Sequence, residues 1–390
     1  MNDGQLETLA FERKDGRIAW RKPAPAEKLK STLGVDTAGG ATPTPVTDGN
    51  SVFVYFGSFG LIAYDLEGHE QWRQPLAPLD IETSASPILI DDKLIVVSDR
   101  ETGSFIEAHD KKTGRRIWRT ERPQFHRSSS TPFHWVNAKR EEVILAGSLR
   151  LTSYNPLNGE ENWHYNGTAK VATGSPTADE NLLFTASTKD GRDGNLAKPT
   201  TTTPLPNAAK KQPLFVAPSE NDNEEELSPV SKAPFLDYGL VTQLDPAKAG
   251  KGILAIQSCG RGDITQTHLA WTSTRSIPYA SSPLLYHGRL FTVKDGGFVS
   301  AYDAKTGHSL YQDERLDAPG DYYASAVAAD KRIYLSSFDG VVTVIDATSD
   351  SLKVLAQNKF EEQILATPAL ADRSIIVRTA TTLYSFGANP

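Results

Sequence analysis

AHDKKTGRRIW, residues 108–118, runs from a small residue through an Asp and a Thr-Gly pair to a Trp four positions past the Gly. One such run could bind a ligand or close a turn, so its recurrence is what decides the reading. AFERKDGRIAW (10–20) keeps the spacing with Asp15 in place of the Thr, SYNPLNGEENW (153–163) keeps it with Asn155 and Asn158, and AYDAKTGHSLY (301–311) ends in Tyr. AYDLEGHEQW (63–72) is one residue shorter, VIDATSDSLKV (344–354) is a worn copy, and a more distant copy ends in THLAW at Trp271. The terminal positions 20, 72, 118, 163, 271, 311 and 354 are separated by 52, 46, 45, 108, 40 and 43 residues. All but one interval fall near the roughly 40–50 residues of a propeller blade. The long interval is one repeat plus an insertion.

Upstream of each copy lies a second recurring unit: Ser/Thr-Pro, a short apolar run, a polar turn and another apolar run. TPVTDGNSVFVYFG (44–57), SPILIDDKLIVVSD (86–99), SPTADENLLFTAS (175–187), SPLLYHGRLFTVKD (282–295), SAVAADKRIYLSSF (325–338) and TPALADRSIIVRT (367–379) are the examples. β-branched and aromatic runs split by Asp-Gly, Asp-Asp or His-Gly read as strand, hairpin turn, strand. Each period therefore holds four short antiparallel strands, which is one blade of a β-propeller. No stretch carries helical apolar spacing long enough for a helical layer.

The fold expected is all-β: a single propeller over 1–390, with seven or eight four-stranded blades. The first repeat begins at its third strand and the last, ATPALADRSIIVRTATTLYSF (366–386), stops after its third. Either Gly16–Arg21 completes the last blade, giving seven, or the ring has eight with the first incomplete. The second closure is preferred, with the expectation that the natural chain begins upstream.

The motif's own chemistry is local. Asp and Asn side chains bond the backbone within a turn, and Gly supplies the left-handed φ angle that a tight connection needs. The aromatic at the end packs between blades. A blade-locking role is thus expected of Trp20, Asp65, Trp72, Asp110, Thr113, Gly114, Trp118, Gly159, Trp163, Trp271, Asp303, Thr306 and Gly307.

Residues 189–250 are rich in Pro, Thr, Asn and Glu, with KPTTTTPLPNAAKKQP and SENDNEEELSP as the extremes. They read as an insertion within one blade, with disorder expected over 196–235. DGRDGN (190–195) lacks the order of a calcium loop. RGD at 261–263 and the NGT sequon at 166–168 are tripeptides expected by chance.

A net charge of −7 argues against nucleic acid as a partner. No apolar run is long enough to span a bilayer. MNDGQLETLAF has no basic-then-apolar leader. Cys259 is the single cysteine, so neither an intramolecular disulfide nor a cysteine metal cluster can form. The eight His residues are scattered, mostly at turns such as those of His69 and His287, with no Ser-His-Asp or metal-ligand spacing.

The repeats resemble the pyrroloquinoline-quinone (PQQ) repeat family. The pattern A-x-D-x-x-T-G-x-x-x-W is met fully at Ala108, Asp110, Thr113, Gly114 and Trp118. The resemblance implies a PQQ-like propeller, and it covers two kinds of protein: quinoprotein dehydrogenases, and non-enzymatic scaffolds of the BamB type in outer-membrane assembly. The dehydrogenases carry PQQ beside calcium under a disulfide of adjacent cysteines, which a chain with one cysteine cannot make. The chain also has no C-x-x-C-H haem motif. The expectation is a non-enzymatic monomer that binds a protein partner in a bacterial envelope, periplasmic or secreted, with no cofactor. PQQ with calcium belongs to the alternative, a quinoprotein oxidoreductase.

Connectors between blades surround a propeller's central mouth. Here they place Asp80, Glu82, Phe125, His126, Arg127, Arg275, Tyr279, Asp321, Tyr322, Tyr323, Glu361 and Glu362 there. Aromatics with Arg and carboxylates compose a recognition surface, although the same aromatics could simply plug the channel. The alternative oxidoreductase would need Asp80 with Glu82, or Glu361 with Glu362. A third reading, carbohydrate binding, would use exposed Tyr279, Tyr322 and Tyr323.

Overall fold

The computed structural model describes residues 6–25, 41–57, 59–76, 85–99, 103–125, 128–169, 172–187, 250 and 252–387. The insertion expected over 189–250 and its central 196–235 lie outside the described residues, except for Gly250. Among the described residues there is no α-helix, so none is long and apolar enough to cross a membrane.

The strands assemble as seven blades and one two-stranded ribbon. The ribbon is β1 (Glu7–Phe11) with β2 (Ile18–Pro23). The first blade is β3 (Val46–Thr47), β4 (Ser51–Phe56), β5 (Gly60–Asp65) and β6 (Glu70–Pro75). The second is β7 (Ile88–Ile90), β8 (Lys93–Ser98), β9 (Phe105–Asp110) and β10 (Arg116–Glu121). The third is β11 (Phe133–Val136), β12 (Glu141–Gly147), β13 (Arg150–Tyr154) and β14 (Glu161–Asn166). The fourth is β15 (Thr177–Ala178), β16 (Leu182–Ser187), β17 (Gly252–Gln257) and β19 (Leu269–Ser273), while β18 (Gly262–Asp263) pairs in parallel with β14 as a fifth strand of the third blade. The fifth is β20 (Leu284–Tyr286), β21 (Arg289–Lys294), β22 (Phe298–Asp303) and β23 (Ser309–Arg315). The sixth is β24 (Val327–Ala329), β25 (Arg332–Ser336), β26 (Val341–Asp346) and β27 (Val354–Lys359). The seventh is β28 (Ala369–Ala371), β29 (Ser374–Arg378) and β30 (Leu383–Gly387), with three strands.

An eighth four-stranded blade is not present among the described residues. Nor does Gly16–Arg21 complete the seventh, because β2 pairs with β1 rather than with β30. The ribbon instead occupies a place between the seventh blade and the first. Arg13 in its turn pairs with Asp372 in the β28–β29 turn, the relation that Lys111 of the second blade has to Asp48 of the first.

Polar two-residue turns make the inner hairpins. His287-Gly288, Asp330-Lys331 and Asp372-Arg373 all take left-handed φ at both positions, the geometry that matches the twist of the flanking strands. Around the axis, the Ser/Thr residues at the start of the inner strands join consecutive blades. Thr44 N–H donates to Ser86 Oγ, Ser86 to Thr131, Thr131 to Ser175, Ser175 to Ser282, Ser282 to Ser325, and Ser325 to Thr367. These six bonds link all seven inner strands.

The repeated motif works between copies. Trp20, Trp72, Trp118 and Trp271 each donate the indole N–H to a backbone carbonyl in the next blade's turn, those of Leu66, Lys111, Pro156 and Ala304. The ring then lies flat on that turn's Gly. A Cβ on Gly68, Gly114, Gly159 or Gly307 would come within 2.4–2.7 Å of the Trp ring. Gly is therefore required twice, by its φ near +70 to +83° and by the indole above it. Within each turn, Asp110 and Asp303 accept from the N–H and hydroxyl of Thr113 and Thr306. Asp65 of the shorter copy accepts from His69 N–H.

Trp163 departs from the pattern. Its indole N–H donates to the buried carboxylate of Glu142, 2.8 Å away, and Gly260 and Ile264 from the β17–β19 connection pack near it. That connection carries β18 onto the third blade, so the usual turn is not there to receive the indole. The worn copy also needs one correction. The position opposite Val344 in β26, where other blades hold Trp or Tyr, is Ala356 rather than Val354.

Candidate functional site

The mouth of the ring is built by the connectors and by the turns between each blade's second and third strands. Arg122 leads the connector after β10, and its guanidinium is wholly buried. Its Nε and Nη2 donate to Asp99 Oδ1 and Oδ2 at 2.8 and 3.0 Å, and Nη1 donates to Tyr154 Oη. The guanidinium lies 3.7 Å from the centre of the Phe125 ring, and Ser104 Oγ donates to Phe125 O. Phe125 is thus held at 0% exposure as a packing residue.

The same outcome meets Tyr322. Its backbone N–H donates to Asp295, its hydroxyl donates to Ala318 O, and its ring joins the core between the fifth and sixth blades at 1% exposure. Burial pushes its phenol well above the ordinary tyrosine range. Tyr323 donates to the neighbouring Asp321 and packs edge-on against Phe338 at 5.5 Å. Tyr279 is half-buried, and its carbonyl accepts from Thr173 Oγ1.

Arg275 and Glu361 remain at the rim. The Arg275 side chain is 71% exposed and 3.7 Å from Asp313; Glu361 is exposed. Its neighbour Glu362 accepts from the hydroxyls of Thr379 and Thr381 and from Thr381 N–H. Asp80, Glu82, His126 and Arg127 lie outside the described residues. Among the others, Phe125, Tyr322 and Glu362 find partners in their connectors and neighbouring turns, and Arg275 in Asp313 of β23, not with one another. Asp339 sits against Gly320, with its carboxyl raised by burial and then by the charge of Asp321.

Sequence reading missed the buried polar residues at the ring's other end, which the first–second and third–fourth strand turns build. Glu107 and His109 alternate in β9 and bond each other at 2.9 Å, with His109 at 1% exposure, contrary to the expectation of exposed turn histidines. Glu142 accepts from Ser153, Trp163 and Arg140 at one oxygen and from Asn137 at the other. Their polar type within strands was the available clue. Among the described residues, no group of three or more His, Cys, Asp or Glu is placed to hold a metal ion.

The clamped carboxylates set an acid limit. The Thr379 and then Thr381 hydroxyls hold Glu362 down to about 2, and the ammonium of Lys111 with the Ser51 amide holds Asp48 down to about 2. Folded values below unfolded ones mean stability that is present above the ordinary carboxylate range and is lost as pH falls through it. Asp339 acts with the opposite sign and offsets part of the loss. We expect the urea midpoint to fall between about pH 4.5 and 2, with Glu362→Gln showing a shallower fall than the parent. An unchanged slope in that variant would contradict the assignment.

Known proteins give this geometry a context. The model of a family described as outer membrane protein assembly factor BamB matches residues 4–204. The crystal structure of BamB from Moraxella catarrhalis superposes with a TM-score of 0.61 at 16% identity, covering 99% of this chain and 93% of that one. A europium-containing methanol dehydrogenase superposes with a TM-score of 0.57 at 12% identity, covering 95% of this chain and 78% of that one. A comparison with curated proteins finds no match. At these identities the structural likeness is one of fold.

Proposed function

The chain belongs to the family of the outer membrane protein assembly factor BamB, and from that premise we propose that it is a non-enzymatic scaffold presenting a rigid ring to protein partners in a bacterial envelope. The observation that carries this reading is the use of the mouth's aromatics as packing. Phe125 and Tyr322 are 0% and 1% exposed, packed against Arg122 and into the core between the fifth and sixth blades, while Arg275 and Glu361 stay exposed at the rim. A charged rim whose neighbouring aromatics are packed into the blades suits recognition of a protein surface. It does not suit enclosure of a small molecule, for which most of the ligand's surface has to be buried.

Of the carboxylate pairs that an oxidoreductase would need, Glu361 with Glu362 has one member already saturated by threonine donors. That member is poorly placed to take up a proton near neutrality. The test is site-specific photo-crosslinking from positions 275 and 361 of the intact protein in bacterial envelope preparations. Discrete protein adducts from the rim are expected, absent from a probe on the outer strand at Leu355. Equal labelling from both places, or none, would contradict the scaffold reading.

A further inference from the structure

Residues 111–120, KKTGRRIWRT, carry five cations and no acid in a chain whose net charge is −7. The turn does not need them. Asp110, Thr113 and Gly114 close it, and the places of Arg115 and Arg116 are taken by Glu160 and Glu161 in the third blade and by His308 and Ser309 in the fifth. A charge that the fold accepts in either sign is available for recognition.

The cations gather along one seam. In register, Arg116 pairs with His109 and Arg119 with Glu107, and these pair in turn with Leu94 and Val96. Cross-strand partners share a face of the sheet, and Leu94 and Val96 belong to the core packed against Phe53 and Tyr55 of the first blade. Arg116 and Arg119 therefore lie on the face turned toward the first blade. Trp72 joins the same core and donates to Lys111 O, so the β9–β10 turn closes that seam at the end opposite the mouth.

There the β3–β4 turn, β6 and the β9–β10 turn enclose a groove of about 350 Å³, lined by Asn50, Phe53, Gln71, Trp72, Lys111 and Lys112. A cavity of this size holds one small group. Some of the cations are engaged within the protein: Lys111 meets Asp48 at 2.9 Å, Arg119 meets Glu121, and Arg116 reaches only the buried Glu107, at 3.8 Å. Lys112 and Arg115 are exposed, and among the described residues neither is paired with a carboxylate. The exposed side-chain amide of Asn50 is unpaired as well.

We propose that this seam is a docking site for an acidic, extended segment of a partner protein. One glutamate enters the groove, its methylenes against Trp72 and its carboxylate between the Lys112 ammonium and the Asn50 amide. Carboxylates further along the segment meet Arg115 and Arg116. Arginine takes a carboxylate through two parallel N–H bonds, and clustered Arg side chains are a recurrent reader of acidic motifs. The cations line a cleft between two blades, which fits a single extended chain and not a lipid surface. The inference rests on the scaffold reading and names the chemistry of a partner at the ring's other end.

The test uses the intact protein and a blocked synthetic decaglutamate, with decaglutamine as its control. Calorimetry should show saturable binding of the first alone, weakening as salt is raised because the pairs are exposed. Lys112→Glu with Arg115→Glu should weaken it by about tenfold or more, and Asn50→Asp, which puts a carboxylate in the groove, should weaken it too. Lys305→Glu with Lys359→Glu, on the fifth and sixth blades, makes the same change in net charge and should leave binding close to the parent's. These side chains are all exposed, and an unchanged melting temperature certifies each variant's fold.

No saturable binding, binding indifferent to Asn50→Asp, or equal weakening by the two double variants overturns the proposal. Vesicles of phosphatidylcholine with phosphatidylglycerol form the lipid arm. Sedimentation of the protein with them, lost in the Lys112→Glu, Arg115→Glu variant while decaglutamate fails to bind, would make the seam a membrane contact and overturn the proposal. Self-association abolished by that variant overturns it as well, because the occupant would then be a second copy. A flat titration with rim adducts intact removes this seam and leaves the scaffold. Peptide binding without rim adducts does the reverse.

Discussion

Replacing Trp118 by Ala is expected to cost about 3–5 kcal/mol of stability, the range for deleting a large buried aromatic. The side chain is 9% exposed, lies on Gly159 and donates to Pro156 O at 3.1 Å. Its removal opens a cavity between the second and third blades and leaves that carbonyl without its indole donor. Urea unfolding followed by fluorescence measures the loss.

The specific content of the claim lies in the pairing with the next copy's turn, which a cycle at Trp72 and Gly114 isolates. A Cβ on Gly114 would lie 2.5 Å from the Trp72 ring. Gly114→Ala should therefore be costly in the parent. In a Trp72→Ala background it should cost only the left-handed backbone penalty, about 1–2 kcal/mol. A coupling energy of about 1–3 kcal/mol is expected for residues in such contact. Strict additivity would mean that the two motifs do not meet.

The second large effect concerns the mouth. Asp99→Ala leaves the Arg122 guanidinium buried without its carboxylate, and breaking a buried pair in this way costs about 3–5 kcal/mol. The double replacement Asp99→Leu with Arg122→Met should recover most of that loss, because no charge then remains to be desolvated. The measurement is again the urea midpoint, joined by exposure of Phe125 to solvent. If Asp99→Ala were as stable as the double variant, Arg122 would not be the device that holds the connector.

The blades themselves were legible because four short strands, a polar turn and a terminal aromatic return at a nearly constant interval. Which partner each aromatic meets was not legible, because it lies in the next copy rather than its own. Trp163 shows the limit: it satisfies the pattern, yet it bonds Glu142 because β18 reaches across to β14. Ala356 shows another, since only register places it opposite Val344.

At the mouth, the spacing identified the connectors but not the direction of their side chains. Phe125 and Tyr322 turned inward because Arg122, Asp99 and Asp295 hold their connectors from behind. Asp99 and Asp295 sit remote in sequence from the connectors they hold, where nothing local marks them.

The most direct measurement of the central claim is a titration of the purified protein with PQQ in the presence of calcium, read by quinone absorbance and by melting temperature. A protein-binding scaffold whose mouth aromatics are packed into the blades predicts no saturable absorbance change and no shift in melting. Saturable binding with a melting temperature that climbs with ligand concentration, as linkage requires of a ligand bound by the folded state, would contradict that account and make the ring a cofactor site.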